Sequence, residues 1–140
     1  MLYSKTTRYA VVALSEIARR EEERAVSTKS IAQCTDVPYP LLAKIILRLK
    51  AAGLVVAKRG KNGGVRLAHP AASVKILDVV LALDGEGILS DCPLHLAPCA
   101  CERECDLHPI WKPARDAVIR FLETTSILDV ANARAQLPGA

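Results

Sequence analysis

The sequence has no apolar run close to the roughly 20 residues that a membrane-spanning helix needs. Its first residues, MLYSKTTRYA, lack the apolar central segment of a secretory signal peptide. It also lacks a glycine-rich nucleotide loop, a recognisable catalytic dyad and a second cofactor motif. These absences predict a cytoplasmic protein that is not an enzyme, has no small-molecule substrate and does not act at a membrane.

Charge is spread unevenly along a chain that otherwise has the composition of one globular domain. The 140 residues are 51% hydrophobic, which is enough for a sizeable core. Residues 1–70 contain 13 Lys or Arg and 5 Asp or Glu, whereas residues 71–140 contain 6 and 10. A basic first half indicates a polyanionic partner for that half alone.

Four of the five cysteines lie in one stretch, CPLHLAPCACERECDLH, which covers residues 92–108. Thiolates and imidazole are the protein ligands of zinc, copper and iron–sulfur clusters. Because cytoplasmic thiols are kept reduced, a metal centre or a redox switch is favoured over a structural disulfide. An iron–sulfur cluster, a zinc ion and thiol–disulfide switching without a metal therefore all remain open from the residues alone.

A helix-turn-helix is predicted in the basic half, after a first helix over residues 3–20 with apolar residues on one face. Ser27 is a suitable N-cap for a short helix, and TDVP is typical of a turn. A second helix over residues 41–52 would bury a leucine and isoleucine stripe and expose Lys44, Arg48 and Lys50. Cys34, on the short helix among apolar neighbours, is predicted to be a small core residue.

Two β-prone segments, residues 54–57 and 65–68, flank the glycine-rich turn KRGKNGG. This order predicts a hairpin, and a hairpin after a helix-turn-helix is the wing of a winged helix. Lys58, Arg59 and Lys61 would lie at its tip, where an arginine can enter a narrow minor groove. The basic half is therefore predicted to bind double-stranded DNA.

The second half is predicted to contain a helix over residues 76–83 that is buried nearly all round, then the cysteine loop. Pro109 fits the first position of a long helix to about residue 124, which makes His108 its N-cap. This helix has a broad apolar face and would pair with a second copy in a homodimer that reads two DNA half-sites. That face comprises Trp111, Ala114, Ala117, Val118, Phe121 and Leu122.

Several motifs together resemble the Rrf2 family of dimeric winged-helix transcription regulators, more its IscR-like than its NsrR-like members. They are SKTTRYAVVAL, LRLKAAGLV, RGKNGGVRLA, the cysteine loop and HPIW. The resemblance covers residues 1 to about 132 and implies regulated binding to promoter DNA. The acidic ligand near the N-terminus of the NsrR-like nitric-oxide sensors has no match, because Arg8 stands at that position.

The resemblance also implies an iron–sulfur cluster held by three cysteines and a histidine. The matching residues are Cys92, Cys99, Cys105 and His108, and 2Fe–2S is favoured over 4Fe–4S. The family separates its cysteines by five residues, whereas six separate Cys92 from Cys99 here. The additional Cys101 is therefore an alternative ligand.

The predicted architecture is mainly α with a small β-hairpin. Residues 1–84 form the winged helix-turn-helix, 85–108 the cluster-binding loop, 109–133 the dimerisation helix and a short final helix, and 134–140 a flexible tail. In IscR-like relatives an acidic residue, which could accept from cytosine, stands where this chain has Ala43, which can only touch a thymine methyl group. The side chains expected at the DNA are Ser4, Lys5, Arg8, Thr28, Tyr39, Lys44, Arg48, Arg59 and Lys61.

Cluster loss or oxidation is expected to release the loop and shift DNA affinity, as a response to iron–sulfur status, redox state or nitric oxide. A zinc- or thiol-responsive regulator of the same fold is the alternative function. A cluster-containing electron carrier is a third possibility, and it would show no salt-dependent DNA binding.

Overall fold

The computed structural model describes residues 2–90, 92–94 and 105–139. Within them the chain is mainly helical with one two-stranded antiparallel sheet, which confirms the predicted fold class. The elements in order are α1 (Lys5–Arg19), α2 (Thr28–Thr35), α3 (Tyr39–Ala51), β1 (Val55–Lys58), β2 (Gly64–Leu67), α4 (Ile76–Leu83), α5 (Gly87–Ser90), α6 (His108–Thr124) and α7 (Ile127–Gln136).

Helix α1 lies at the centre of the molecule. Ser4 caps it by accepting a hydrogen bond from the Thr7 backbone N–H at 3.1 Å. The small residues Ala10 and Ala13 and the larger Leu14 are completely buried on one face. Around that face pack α2, α3, α4, α7 and β2, so α1 connects the DNA-binding half to the C-terminal helices.

The helix-turn-helix and the hairpin form as predicted. Ser27 caps α2 by accepting from the Ser30 backbone N–H at 3.1 Å, and Asp36 ends the helix in the left-handed region at φ 56°. Strands β1 and β2 pair from Val55 opposite Leu67 to Lys58 opposite Gly64.

Gly64 allows the hairpin to pack closely on the body of the domain. Its φ is +144°, and a Cβ there would lie 2.7 Å from the Val26 carbonyl oxygen. Val26 exchanges backbone hydrogen bonds with Val65 at 2.8 and 2.9 Å, which continues the sheet by one residue pair. Glycine is therefore required at the point where the wing joins the core.

Helix α4 differs from the prediction that it is buried nearly all round. Ile76, Val79, Val80 and Leu83 are buried, but Leu81 is 38% exposed and Asp78 faces solvent. The helix is amphipathic because its neighbours cover one side of it only. The short helix α5, which the sequence did not predict, follows after Gly85.

Helix α6 begins one residue earlier than predicted. Leu107 occupies the N-cap position and makes no side-chain capping bond, so His108 is the first helical residue and not the N-cap. Pro109 is in the first turn, where a missing backbone N–H costs no helical hydrogen bond.

Helix α7 starts at a reciprocal cap between Ser126 and Asp129. The Ser126 backbone N–H and its hydroxyl donate to the Asp129 carboxylate at 2.8 and 2.7 Å, and these bonds lower the pKa of Asp129. The helix continues beyond the predicted end at residue 133. The predicted flexible tail from Arg134 onwards is therefore helical as far as Gln136.

Arg134 explains why α7 continues, because its guanidinium docks on α1. It donates to the Ser15 Oγ at 2.8 Å and the Val12 carbonyl at 3.3 Å, and lies 3.6 Å from the Glu16 carboxylate. Glu16 is buried, and an Arg19 guanidinium nitrogen also lies 3.6 Å from the same carboxylate oxygen.

Replacing Arg134 with alanine should lower the free energy of unfolding by about 1–3 kcal/mol, because it removes a partner of a buried carboxylate. Urea titration followed by circular dichroism measures the change. The control is Lys112→Ala, which breaks the exposed Lys112–Asp116 pair and should cost less than about 0.5 kcal/mol. Equal effects of the two variants would contradict a stabilising role for Arg134.

Candidate DNA-binding surface and cysteine site

Helix α3 presents an exposed face because its other face is anchored in the core by Leu42, Ile45, Ile46 and Leu49. Lys44 is exposed on that outer face, and Tyr39 is 53% exposed at the start of the helix. Thr28, in the first turn of α2, is half-buried. Lys44 is thus exposed as predicted and Tyr39 is also available at the surface, whereas their contacts with DNA stay predictions.

Leu47 is a candidate contact that the sequence analysis missed. It is 66% exposed and lies one turn after Lys44 on the outer face of α3. The helical spacing from Lys44 is the signal that would have identified it. An exposed leucine on such a helix can contact a thymine methyl group, as the half-buried Ala43 can.

The wing tip is basic and open. Lys58, Arg59 and Lys61 are exposed, and in the described part of the chain the Arg59 and Lys61 side chains have no hydrogen-bond or ion-pair partner. The turn is tight, because the Gly63 backbone N–H bonds the Gly60 carbonyl at 2.9 Å. A Cβ at Gly63 would lie 2.2 Å from the Lys58 carbonyl oxygen, so this turn excludes larger residues.

The predicted contacts at the start of α1 divide into two groups. Lys5 and Arg8 are exposed, and their cationic groups lie 5.5 and 5.8 Å from the centre of the Tyr9 ring. The hydroxyl of Ser4 is already engaged, since it caps α1 and donates to the Asp84 carboxylate.

Arg48 also has a partner inside the molecule. Its guanidinium donates to the Leu83 carbonyl at 2.6 Å and reaches the Ala82 carbonyl at 3.5 Å. Arg48 is nevertheless an exposed residue, so its contact with DNA stays a prediction beside this observed contact with the end of α4.

Cys34 is exposed at the end of α2, so the prediction that it is a small core residue is wrong. Only Ile31 of this short helix is buried. The last turn of α2 therefore lies at the surface, although its sequence is apolar enough to suggest burial.

The described part of the cysteine stretch contains Cys92, Cys105 and His108, whereas Cys99 and Cys101 lie outside the described residues. Cys92 is half-buried and Cys105 exposed, and both are free thiols. The His108 backbone N–H bonds the Cys105 carbonyl at 2.9 Å, which places Cys105 at the start of α6. Across residues 2–90, 92–94 and 105–139, no three His, Cys, Asp or Glu side chains come together as a metal site.

Cys92 lines a cleft of about 910 Å³ between the start of α1, the end of α4 and the inner side of α6. Trp111 and Arg115 line the same cleft. The Trp111 Nε1 and the Arg115 Nε are buried and have no acceptor within the described residues. Buried donors without acceptors are costly, so thiolate or sulfide acceptors would fit here. The donor chemistry thus suits a sulfur-ligated cluster.

The apolar face predicted on α6 divides into two stripes. Trp111 and Val118 are half-buried and Leu122 is fully buried, so this inner stripe packs on the chain's own core. The outer stripe consists of exposed residues at spacings of four, three and four, as in the seam between two paired helices. Its members are Ile110 (74% exposed), Ala114, Ala117 and Phe121 (45% exposed).

None of the helices in the described residues is long and apolar enough to cross a membrane.

Comparison with known proteins agrees with this architecture. The structure of CymR, the global cysteine regulator of B. subtilis, superposes with a TM-score of 0.80 at 28% identity, covering 93% of this chain and 95% of that one. The structure of T. potens IscR gives a TM-score of 0.74 at 25% identity, covering 96% and 90%. The transcriptional repressor NsrR of Streptomyces coelicolor is 29% identical over 92% of this chain and 89% of its own length.

The model of the Rrf2 family, described as an iron-dependent transcriptional regulator, matches residues 3–133. These similar proteins are transcription regulators and not enzymes, in agreement with the prediction from the sequence. Together with the helix-turn-helix and its basic wing, the match over nearly the whole chain shows that this protein belongs to the Rrf2 family of DNA-binding transcription regulators.

Proposed function

We propose that the protein is a cytoplasmic homodimeric regulator whose affinity for promoter DNA is controlled by an iron–sulfur cluster. The observation that carries this proposal is the position of Cys92. It lies in the cleft beside Trp111 and Arg115, between the end of the DNA-binding half and α6. A centre bound there would touch both the part that reads DNA and the helix that pairs the subunits.

The ligands in this proposal are Cys92, Cys99, Cys105 and His108, with Cys101 as the alternative, and 2Fe–2S is favoured over 4Fe–4S. A bound cluster would supply sensitivity to iron supply, redox state or nitric oxide. The chain's own residues would hold it from both sides, since Cys92 follows α5 whereas Cys105 and His108 adjoin the start of α6. Holding both ends fixes the distance between these elements, and releasing them lets that distance change.

On the DNA side, α3 would enter the major groove with its outer face. Lys44, Leu47 and Tyr39 are the exposed side chains positioned to meet bases or phosphates. The wing tip would lie along the neighbouring minor groove, where the exposed Arg59 and Lys61 meet a strongly negative potential. Lys5, Arg8 and Thr28 would contact the phosphate backbone.

The outer stripe of α6 is proposed to pair with the same stripe of a second copy. An isologous contact places the two recognition helices about a two-fold axis, so they can read half-sites one helical turn apart. The spacing of Ile110, Ala114, Ala117 and Phe121 supports this pairing, because it matches the repeat of two helices packed side by side.

A thiol-responsive regulator of the same fold is the second candidate function. It is favoured by the likeness to CymR, the global cysteine regulator of B. subtilis. The described cysteines Cys34, Cys92 and Cys105 are all free, so they are able to react. Zinc in the cysteine stretch is a further form of this alternative.

Protein purified without oxygen should be coloured and contain matching amounts of iron and sulfide, whose counts separate 2Fe–2S from 4Fe–4S. Cys92→Ser should remove most of the visible absorption, whereas the control Cys34→Ser should retain it, because Cys34 lies far along the chain on α2. His108→Ala should alter the spectrum, and an unaltered one would assign the fourth position to Cys101. A colourless protein with stoichiometric zinc would rule out the iron–sulfur cluster.

Arg59→Ala should weaken binding to operator DNA by about 1–3 kcal/mol, because the wing would lose its groove contact. Fluorescence anisotropy with labelled duplex measures the loss. Arg120→Ala removes the same charge from the exposed surface of α6 and should leave the affinity nearly unchanged. If the two variants bind equally well, the wing is not part of the DNA contact.

Phe121→Lys should destabilise the dimer by roughly 2 kcal/mol or more, because it places a charge in the centre of an apolar contact. Analytical ultracentrifugation measures the monomer–dimer equilibrium. Glu123→Lys adds a lysine to the same helix away from the stripe and should leave the dimer intact. A dimer that persists unchanged in Phe121→Lys would show that the subunits pair through another surface.

A further inference from the structure

We infer that Arg48 is a positioning residue for DNA recognition, and that it sets the angle of α3 by holding the carboxyl end of α4. Arg48 lies in the last turn of α3, on a helix whose other outward cations are Lys44 and Lys50. Within the described residues neither lysine has a hydrogen-bond or ion-pair partner, whereas Arg48 donates to the Leu83 carbonyl at 2.6 Å. The three cations of α3 therefore have different roles.

The end of α4 is a suitable place for a guanidinium. The last carbonyls of a helix have no partners within it and carry the negative end of the helix dipole. Helix α4 has no basic residue in its own last turn. Arg48 supplies the missing cation from α3, because its Nη2 donates to the Leu83 carbonyl oxygen and lies 3.5 Å from the Ala82 carbonyl oxygen.

The same end of α4 is also attached to α1. The Asp84 carboxylate accepts from the Ser4 backbone N–H at 2.9 Å and from the Ser4 hydroxyl at 2.5 Å. Ser4 in turn caps α1 through the Thr7 backbone N–H. Ser4, Arg48 and residues 82–84, here named the helix-end junction, thus join α1, α3 and α4 through polar contacts.

The helix-end junction borders the cysteine cleft. Ser4, Leu83 and Asp84 line the cleft that Cys92 also lines. A change in what the cleft holds would move the backbone at residues 83–84, and through Arg48 it would change the tilt of α3. This second step rests on the cluster-dependent function proposed above, whereas the positioning role of Arg48 does not.

Salt dependence separates a positioning residue from a phosphate contact. Loss of a phosphate contact reduces the slope of log affinity against log salt by about one and weakens all duplexes alike. Loss of a positioning residue weakens specific binding and leaves the slope unchanged. The probe is a labelled duplex selected from a random library by the wild-type protein, with a scrambled duplex of equal length for non-specific binding.

Arg48→Gln should bind the selected duplex roughly tenfold more weakly, the loss expected when a base contact is misplaced. It should bind the scrambled duplex as tightly as the wild type does. The slope of log affinity against log salt should also equal that of the wild type. Lys44→Gln is the matched control and should lower the slope of log affinity against log salt.

Asp84→Asn should weaken specific binding in the same direction as Arg48→Gln. The double variant should bind no more weakly than Arg48→Gln if the junction acts as one unit. A reduced slope in Arg48→Gln would overturn the inference.

A second variant covers the case in which Arg48→Gln does not fold. Arg48→Lys keeps the charge on a shorter side chain whose ammonium should not reach the Leu83 carbonyl, so it should lose specific affinity at constant slope. Wild-type affinity in Arg48→Lys would overturn the positioning role, because a simple phosphate contact tolerates lysine.

The link to the cleft is tested with cluster-containing and cluster-free protein. The ratio of their dissociation constants for the selected duplex should move towards one in Arg48→Gln. A ratio of one in the wild type would contradict the proposed cluster control, but the salt slopes would still decide the role of Arg48. A wild-type ratio that Arg48→Gln leaves unchanged would overturn the link between junction and cleft.

Discussion

Burial of α1 is the constraint on which the rest of the structure depends. Its apolar face packs against α2, α3, α4, α7 and β2, which brings both halves of the chain into one core. Small residues such as Ala10 and Ala13 let these elements approach closely. Helix α1 therefore shares one hydrophobic core with elements from both halves of the chain.

Polar contacts determine how the elements around α1 are oriented. At its start, Ser4 joins α1 to Asp84 at the end of α4. Near its end, Glu16 and Ser15 receive Arg134 from α7, and Arg20 donates to Ser30 of α2 at 2.6 Å. Apolar burial brings the helices together without strongly fixing their angles, whereas these directional bonds select one arrangement. The helices around α1 therefore take their relative orientation from directional bonds as well as from apolar burial.

Helix α6 shows how one sequence pattern serves two surfaces. The broad apolar face predicted from the sequence combines residues that the structure separates, since Trp111 and Leu122 face the core whereas Ala114 and Phe121 remain exposed. The inner stripe attaches α6 to α4, whereas the outer stripe remains exposed among the residues that the structure describes. Periodicity alone could not separate the two stripes, because neighbouring apolar positions on a helix merge into one face.

The sequence by itself determined the elements and their order, apart from the short helix α5. Local signals were sufficient for this, as in the Ser27 cap, the glycine turn of the wing and the apolar stripe of α3. The tertiary structure alone decided that Cys34 is exposed, that His108 follows the cap of α6, that Arg134 extends α7 and that Arg48 holds α4. The contacts of Arg134 and Arg48 depend on neighbours distant in sequence, and a charged residue does not reveal from its own segment which distant group will bind it.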